Sequence, residues 1–182
     1  MENDAENLVA QLFLKSAYKR FQDYKTLGDK TLTQLSEAQW HAQPNATSNS
    51  IAIIIQHLSG NMKSRWTSFL TEDGEKPWRK RDAEFEEQAQ SKEALLQAWE
   101  EGWKILLDSI SSLTESDLVK TITIRTEPLN VVDAINRQLM HVSYHVGQIV
   151  FLGKWLCDEN WQTLTIPKGA SQQFNASMKK KG

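Results

Sequence analysis

The stretch Asn130–Leu156, NVVDAINRQLMHVSYHVGQIVFLGKWL, decides the fold class. Its apolar residues Val131, Ile135, Leu139, Val142, Val146, Ile149, Val150 and Leu156 recur at helical spacing. Asn130 stands just before the first of them, where a side-chain oxygen can accept from the free N–H groups of a first helical turn. A helix is therefore expected from about Asn130 to Cys157. Beside its aliphatic stripe runs a polar one, with Gln138, His141, His145 and Gln148. His141 and His145 are four apart, so they lie one turn above each other on one face.

The segment SIAIIIQHLSGNMKSRWTSFL, residues 50–70, reads as a second long helix. Its apolar face is Ile51, Ile54, Ile55, Leu58, Met62, Trp66 and Phe69, a period too sustained for a strand despite the isoleucine run. His57 sits mid-segment, sharing a stripe with Ile53 and Asn61. Two more helices are expected. One spans about Asp4 to Leu35, with Asp4 as N-cap, followed by a short piece Ser36–Gln43 that opens on a capping pattern and stops before Pro44. The other spans Ser91 to about Leu113, on the stripe Leu95, Trp99, Trp103, Leu106, Ile110 and Leu113. Trp99 and Trp103, one turn apart, suit core or interface packing.

These segments predict an all-α four-helix bundle, residues 1–160, as a single domain. Its connections at Glu72–Gln90 and Thr114–Asn130 are long, which permits an overhand course. The second carries at most a short extended piece around Ile122 and Ile124. Residues 161–182 are expected to drape on the bundle and then fray.

Composition narrows the function. The chain has 182 residues, is 40% hydrophobic and 24% charged, and carries a formal net charge of -2. That balance disfavours nucleic acid as a partner, since nucleic-acid binding needs a basic surface. Lys179-Lys180-Lys181 reads as a solvated tail. The start, ENDAEN, does not resemble a secretory signal, and no apolar run could span a bilayer. The single cysteine, Cys157, forms no internal disulfide and reads as an inert thiol. A cytoplasmic protein without membrane attachment is expected.

Three of the four histidines thus fall mid-helix. Two imidazoles from one helix and a third from another make the three-nitrogen, open set of a catalytic metal centre. Buried imidazoles need partners, and one ion would serve all three. Asn61, Gln138, Tyr144 and Gln148 are candidates for supporting or substrate contacts. The plain alternative is three histidines satisfied by neighbouring amides, with no metal. His41, in AQWHAQP, has no assigned role. His141-Val-Ser-Tyr-His145 lacks the glutamate that follows the first histidine of zinc proteases, so no catalytic base is assigned. Glu127 and Asp133 suit a helix N-terminus better than catalysis. Arg137, one turn before His141, could bind a carboxylate or lie on the surface. No phosphate loop, cysteine pair or Gly-x-Ser-x-Gly elbow is present.

Residues 127–156, EPLNVVDAINRQLMHVSYHVGQIVFLGKWL, resemble the last helix of the DinB/YfiT-like superfamily, and SIAIIIQHLSGNMKSRW resembles its metal-binding helix. DGEKPWRKRDAEFE (73–86) and IPKGASQQFN (166–175) resemble a poorly characterised bacterial subgroup of it. The resemblance implies a four-helix bundle with an up-down-down-up course, often a homodimer. It also implies a histidine triad at His57, His141 and His145 holding one divalent ion. Zinc or nickel comes first, with iron or manganese as alternatives. Some members are S-transferases or isomerases that use a low-molecular-weight thiol as cosubstrate, and others are called hydrolases. The resulting expectation is a metal-dependent enzyme acting on a small molecule, as a thiol-dependent S-transferase or a hydrolase. The alternative is a non-catalytic metal-binding or stress-response dimer.

Overall fold

A computed structural model describes residues 2–179. Four long helices carry it: α1 (Glu2–Leu32), α3 (Ile51–Trp66), α4 (Lys92–Ser112) and α5 (Val131–Cys157). Two short ones, α2 (Glu37–Trp40) and α6 (Ser171–Lys179), a hairpin of β1 (Thr121–Ile124) and β2 (Glu127–Asn130), and 3₁₀ turns at Asp82–Phe85, Glu115–Asp117 and Asp158–Asn160 join them. The closest packing is α3 on α4 and α1 on α5, with α1 also touching α4 and α3 touching α5. One contiguous apolar cluster joins them, from Ala17 to Cys157. No described helix is long and apolar enough to cross a membrane.

Capping chemistry sets the boundaries. Ser50 Oγ accepts from Ile53 N–H, Ser91 Oγ from Ala94 N–H, and Asn130 Oδ1 from Asp133 N–H, each serving a donor that has no partner within its helix. Helix α1 begins at Glu2, so Asp4 lies inside the first turn rather than capping it. Helix α3 stops at Trp66, four residues before the expected Leu70, because Thr67 turns extended and Ser68 takes a left-handed φ of 49°. The extended piece is a full antiparallel hairpin pairing Thr121 with Asn130 and Ile124 with Glu127. Its two loop residues, Arg125 and Thr126, are both left-handed, as a two-residue hairpin turn of matching twist requires. Asp73 offsets the strain by accepting from both of their N–H groups at 2.8 Å.

Helix α3 is buried on nearly every side, its isoleucines from Ile51 to Ile55 all inside. A helix so enclosed needs cover beyond its neighbours in the helical layer. The charged connection provides it. Gly74 N–H bonds to Thr123 O, tying the connection to β1, and Ser64 Oγ donates to Gly74 O. A single 3₁₀ turn, Asp82–Phe85, then lies against α3. The tail is anchored at its start, where Gln162 N–H donates to Gln34 Oε1, and Trp161 is half-buried. Further on, Ser171–Lys179 is helical, with Phe174 and Met178 exposed. Lys180 and Lys181 lie outside the described residues.

Trp99 and Trp103 are wholly buried and meet edge-to-face at 5.4 Å, so they are core residues. A Cβ on Gly28 would stand 2.5 Å from Trp99 Cζ2. That ring is held by its Nε1–H bond to Asp29 at 2.8 Å. Gly28→Ala gains about 1 kcal/mol of helix propensity and loses about 1–3 kcal/mol to overpacking. We expect a net loss of about 1 kcal/mol, read as a lower urea midpoint at unchanged slope; a raised midpoint would mean that the indole yields freely.

Candidate metal centre

Helix α3 presents His57, and α5 presents His141 and His145, at the same level of the helical layer. One nitrogen from each lies within 4.8 Å of the other two. His57 Nε2 and His141 Nε2 are 3.0 Å apart. Two imidazole nitrogens sharing a tetrahedral zinc at ordinary bond lengths would be about 3.3 Å apart, so the pair is nearly at ligating separation.

The outer nitrogens decide which atoms are bare. His57 Nδ1 lies 3.0 Å from Glu84 Oε2. Burial raises the Glu84 carboxyl, but hydrogen bonds and charge from Arg79 and His57 outweigh it and hold the group below the ordinary carboxylate range. An ionised carboxylate only accepts, so the proton sits on His57 Nδ1 and Nε2 carries the free lone pair. His145 Nδ1 donates to Gln148 Oε1 at 2.8 Å, which again leaves Nε2 bare. Such outer partners fix the tautomer and aim of metal-ligating histidines. His141 Nδ1 is buried without a partner among the described residues. These features fit a divalent ion, and the three histidines could hold one.

Glu84 is itself held in place. Arg79 grips it through two bonds of 2.8 Å, Nε to Oε1 and Nη2 to Oε2, with the arginine side chain only 2% exposed. Gly60 makes room, since a Cβ there would stand 2.3 Å from Glu84 Oε1. The Phe85 ring stacks near His57 at 4.5 Å. Sequence reasoning missed Glu84, Arg79 and Phe85. The connection read as a charged loop, and nothing in its spacing indicates that one carboxylate returns to a helix twenty-seven residues earlier.

A cavity of about 440 Å³ opens beside the triad, with His57, His141, Asn61, Gln138 and Tyr144 in its wall. Asn61 Oδ1 and Gln138 Nε2 are buried without partners among the described residues. The Tyr144 ring is 4.9 Å from that of His145 and mostly exposed. The seven residues singled out from the sequence are therefore gathered at one place. His41 is elsewhere and pairs with Glu87 at 2.8 Å. Asp133 accepts from its own cap residue, Asn130, as helix-terminus chemistry predicts. Arg137 lies on the cavity wall rather than away from it.

Burial, together with the charges of His145, His57 and nearby arginines, pushes His141 down to about 3. Burial also lowers His145 to about 4, against the opposing bond to Gln148 and with the charge of His57 adding to the fall. Both are neutral near pH 7, as ligation demands. Their folded values lie below the usual 6.5 of an unfolded chain, so on acidification the unfolded state takes up protons first. Metal-free protein is thus expected to lose stability as pH falls from about 6.5 towards 4, taking up roughly two protons on unfolding near pH 5. Urea midpoints across that window test this; a flat profile in wild type, or one unchanged by His141→Gln with His145→Gln, would refute it.

The molecule is thus a mostly helical protein in which three imidazoles converge beside a polar cavity. The chain belongs to the family described as "Protein of unknown function (DUF1572)", which matches residues 8–170. No curated protein and no solved structure matches it significantly.

Proposed function

We propose that the chain is a divalent-metal-dependent enzyme with His57, His141 and His145 as ligands, built as a DinB/YfiT-like up-down-down-up four-helix bundle. The observation that carries this reading is three ring nitrogens within 4.8 Å of one another, with His57 Nδ1 held by Glu84 Oε2 and His145 Nδ1 by Gln148 Oε1. Zinc and nickel both suit an all-imidazole set. When bound, such an ion lowers the pKa of water or of a thiol and polarises an electrophile.

The chain's own residues supply the rest. Glu84, gripped by Arg79, keeps the His57 proton on Nδ1 and fixes the ring's aim. Gln148 does the same for His145. Asn61 Oδ1 offers an acceptor and Gln138 Nε2 a donor to a substrate in the cavity. Trp66, Phe69 and Ile124 give apolar wall that limits water. A cavity with basic and amide groups favours thiol transfer, with a low-molecular-weight thiol as cosubstrate, over simple hydrolysis. The test is turnover of protein loaded separately with zinc and nickel. We expect thiol-dependent consumption of a halogenated or epoxide electrophile that disappears in His145→Ala. Rates at background for every metal and thiol would remove the catalytic reading and leave a non-catalytic metal-binding dimer.

One observation favours a homodimer under either reading. Met140, Tyr144, Phe151 and Trp155 form a single stripe along α5 and are all more than half exposed. An apolar stripe of that kind marks a contact surface. Phe151→Glu should shift the sedimentation of a dimer to that of a monomer; an unchanged profile would place the contact elsewhere.

A further inference from the structure

The cavity beside the triad is walled by five arginines, Arg65, Arg79, Arg81, Arg125 and Arg137, and by no acidic residue. Behind them, carboxylates are few. Glu75 Oε2 alone faces Arg65 at 2.8 Å, Arg125 at 3.1 Å and Arg79 at 3.6 Å. Glu84 takes Arg79, and the fully exposed Asp82 stands 3.8 Å from Arg81. Arg137 has no carboxylate within ion-pair distance among the described residues. Five positive charges thus have four carboxylates about them, Glu75, Glu84, Asp82 and the Asp73 that braces the hairpin turn, an excess of one on a chain whose net charge is -2.

This excess is built into the fold. Arg65 is 8% exposed and also donates to Gly74 O. Arg125 sits on the left-handed hairpin turn that Asp73 braces. The buried guanidiniums of Arg65 and Arg79 already have Glu75 and Glu84, so the surplus falls on half-exposed Arg125 and exposed Arg137, where a ligand can reach it. Guanidinium groups match the planar or tetrahedral oxygens of carboxylate and phosphate. Two further buried groups in the same wall, Asn61 Oδ1 and Gln138 Nε2, lack partners among the described residues.

We propose that this cavity is an oxyanion site, taking a small molecule that carries a carboxylate or phosphate on a partly apolar body. The anionic end lies against Arg125 and Arg137 at the mouth, and the apolar part lies against Trp66, Phe69 and Ile124. His57 and His141 share the wall, so an anchored ligand reaches the triad. The catalytic meaning of the site rests on the metal-centre reading above; the binding itself does not.

The test is calorimetric titration of metal-free protein with succinate and, separately, inorganic phosphate, at constant ionic strength. Wild type should bind at least one of them saturably, one per chain, and more weakly at high salt. Arg125→Gln with Arg137→Gln should weaken binding by at least about tenfold. Preference for succinate or phosphate tells which oxyanion the site is shaped for. Arg137→Gln alone provides the same readout should the double variant misfold, because Arg137 is exposed at the cavity mouth. His41→Gln, at a histidine outside the cavity that pairs with Glu87, should leave binding within about twofold of wild type. No saturable binding of either anion by wild type, or undiminished binding by both arginine variants, would overturn the proposal. Metal content, measured separately, would be untouched by that failure; conversely, anion binding without any metal uptake would sink the metal centre and leave this site standing.

Discussion

His57→Ala should drop the metal content of zinc- or nickel-supplemented protein from about one ion per chain to near zero. Structural zinc sites hold their ion with roughly 10–16 kcal/mol spread over four ligands, so removing one nitrogen costs at least about a hundredfold in affinity. His141→Ala and His145→Ala should do the same, since each supplies one of three atoms clustered within 4.8 Å. His41→Ala is the internal control. It removes a histidine of the same chemistry, but one that pairs with Glu87 at the surface, and metal content should stay at wild-type level. Unfolding midpoints measured alongside separate ligand loss from loss of fold. Equal metal in wild type, His57→Ala and His145→Ala would mean that the ion, if any, sits elsewhere.

The second large effect is expected at Arg79, which touches none of the three imidazole nitrogens. Arg79→Met leaves the Glu84 carboxylate buried without its bidentate partner. Breaking a buried pair in this one-sided way costs about 3–5 kcal/mol, because the orphaned charge keeps its desolvation penalty. Glu84 then takes a proton or swings outward, and either change weakens its hold on His57 Nδ1 and loosens the ring. Metal affinity should fall about 10–100-fold, the usual cost of losing an outer partner. Arg79→Met combined with Glu84→Leu removes both charges at once. It should recover much of the stability, as apolar replacement of buried pairs does, while metal affinity stays low. Chemical denaturation and metal competition titrations on the three proteins read the two quantities separately. Recovery of metal affinity in the double variant would show that Glu84 does not position His57.

The long helices were legible because each carries its own period, and three of them their own caps. Asn130 and Ser50 mark starts that any reader of the sequence can place, and the structure uses both as caps. The histidine triad was legible for the same reason: helical spacing puts His141 and His145 on one face, and α3 has a single histidine to meet them. What stayed hidden depends on long-range closure. Ile122 and Ile124 alternate for too few residues to announce a hairpin, and its turn lacks the Asn-Gly or Asp-Gly that usually signals one. Asp73, about fifty residues upstream, supplies the stabilisation instead. Glu84 and the arginine wall were hidden in a run of mixed charge that reads as solvated. Only the fold of the connection over α3 turns Arg79 inward and leaves Lys80 out. The end of α3 at Trp66 was misplaced because Phe69 and Leu70 continue the apolar pattern past the point where Ser68 leaves the helix.

X-ray absorption at the metal edge of the zinc- or nickel-loaded protein reads the ligand set of the ion itself. Three imidazole nitrogens are expected at about 2.0–2.1 Å, with their outer-shell ring scattering, and at least one exchangeable light-atom ligand. A first shell with one imidazole or none would contradict the three-histidine site.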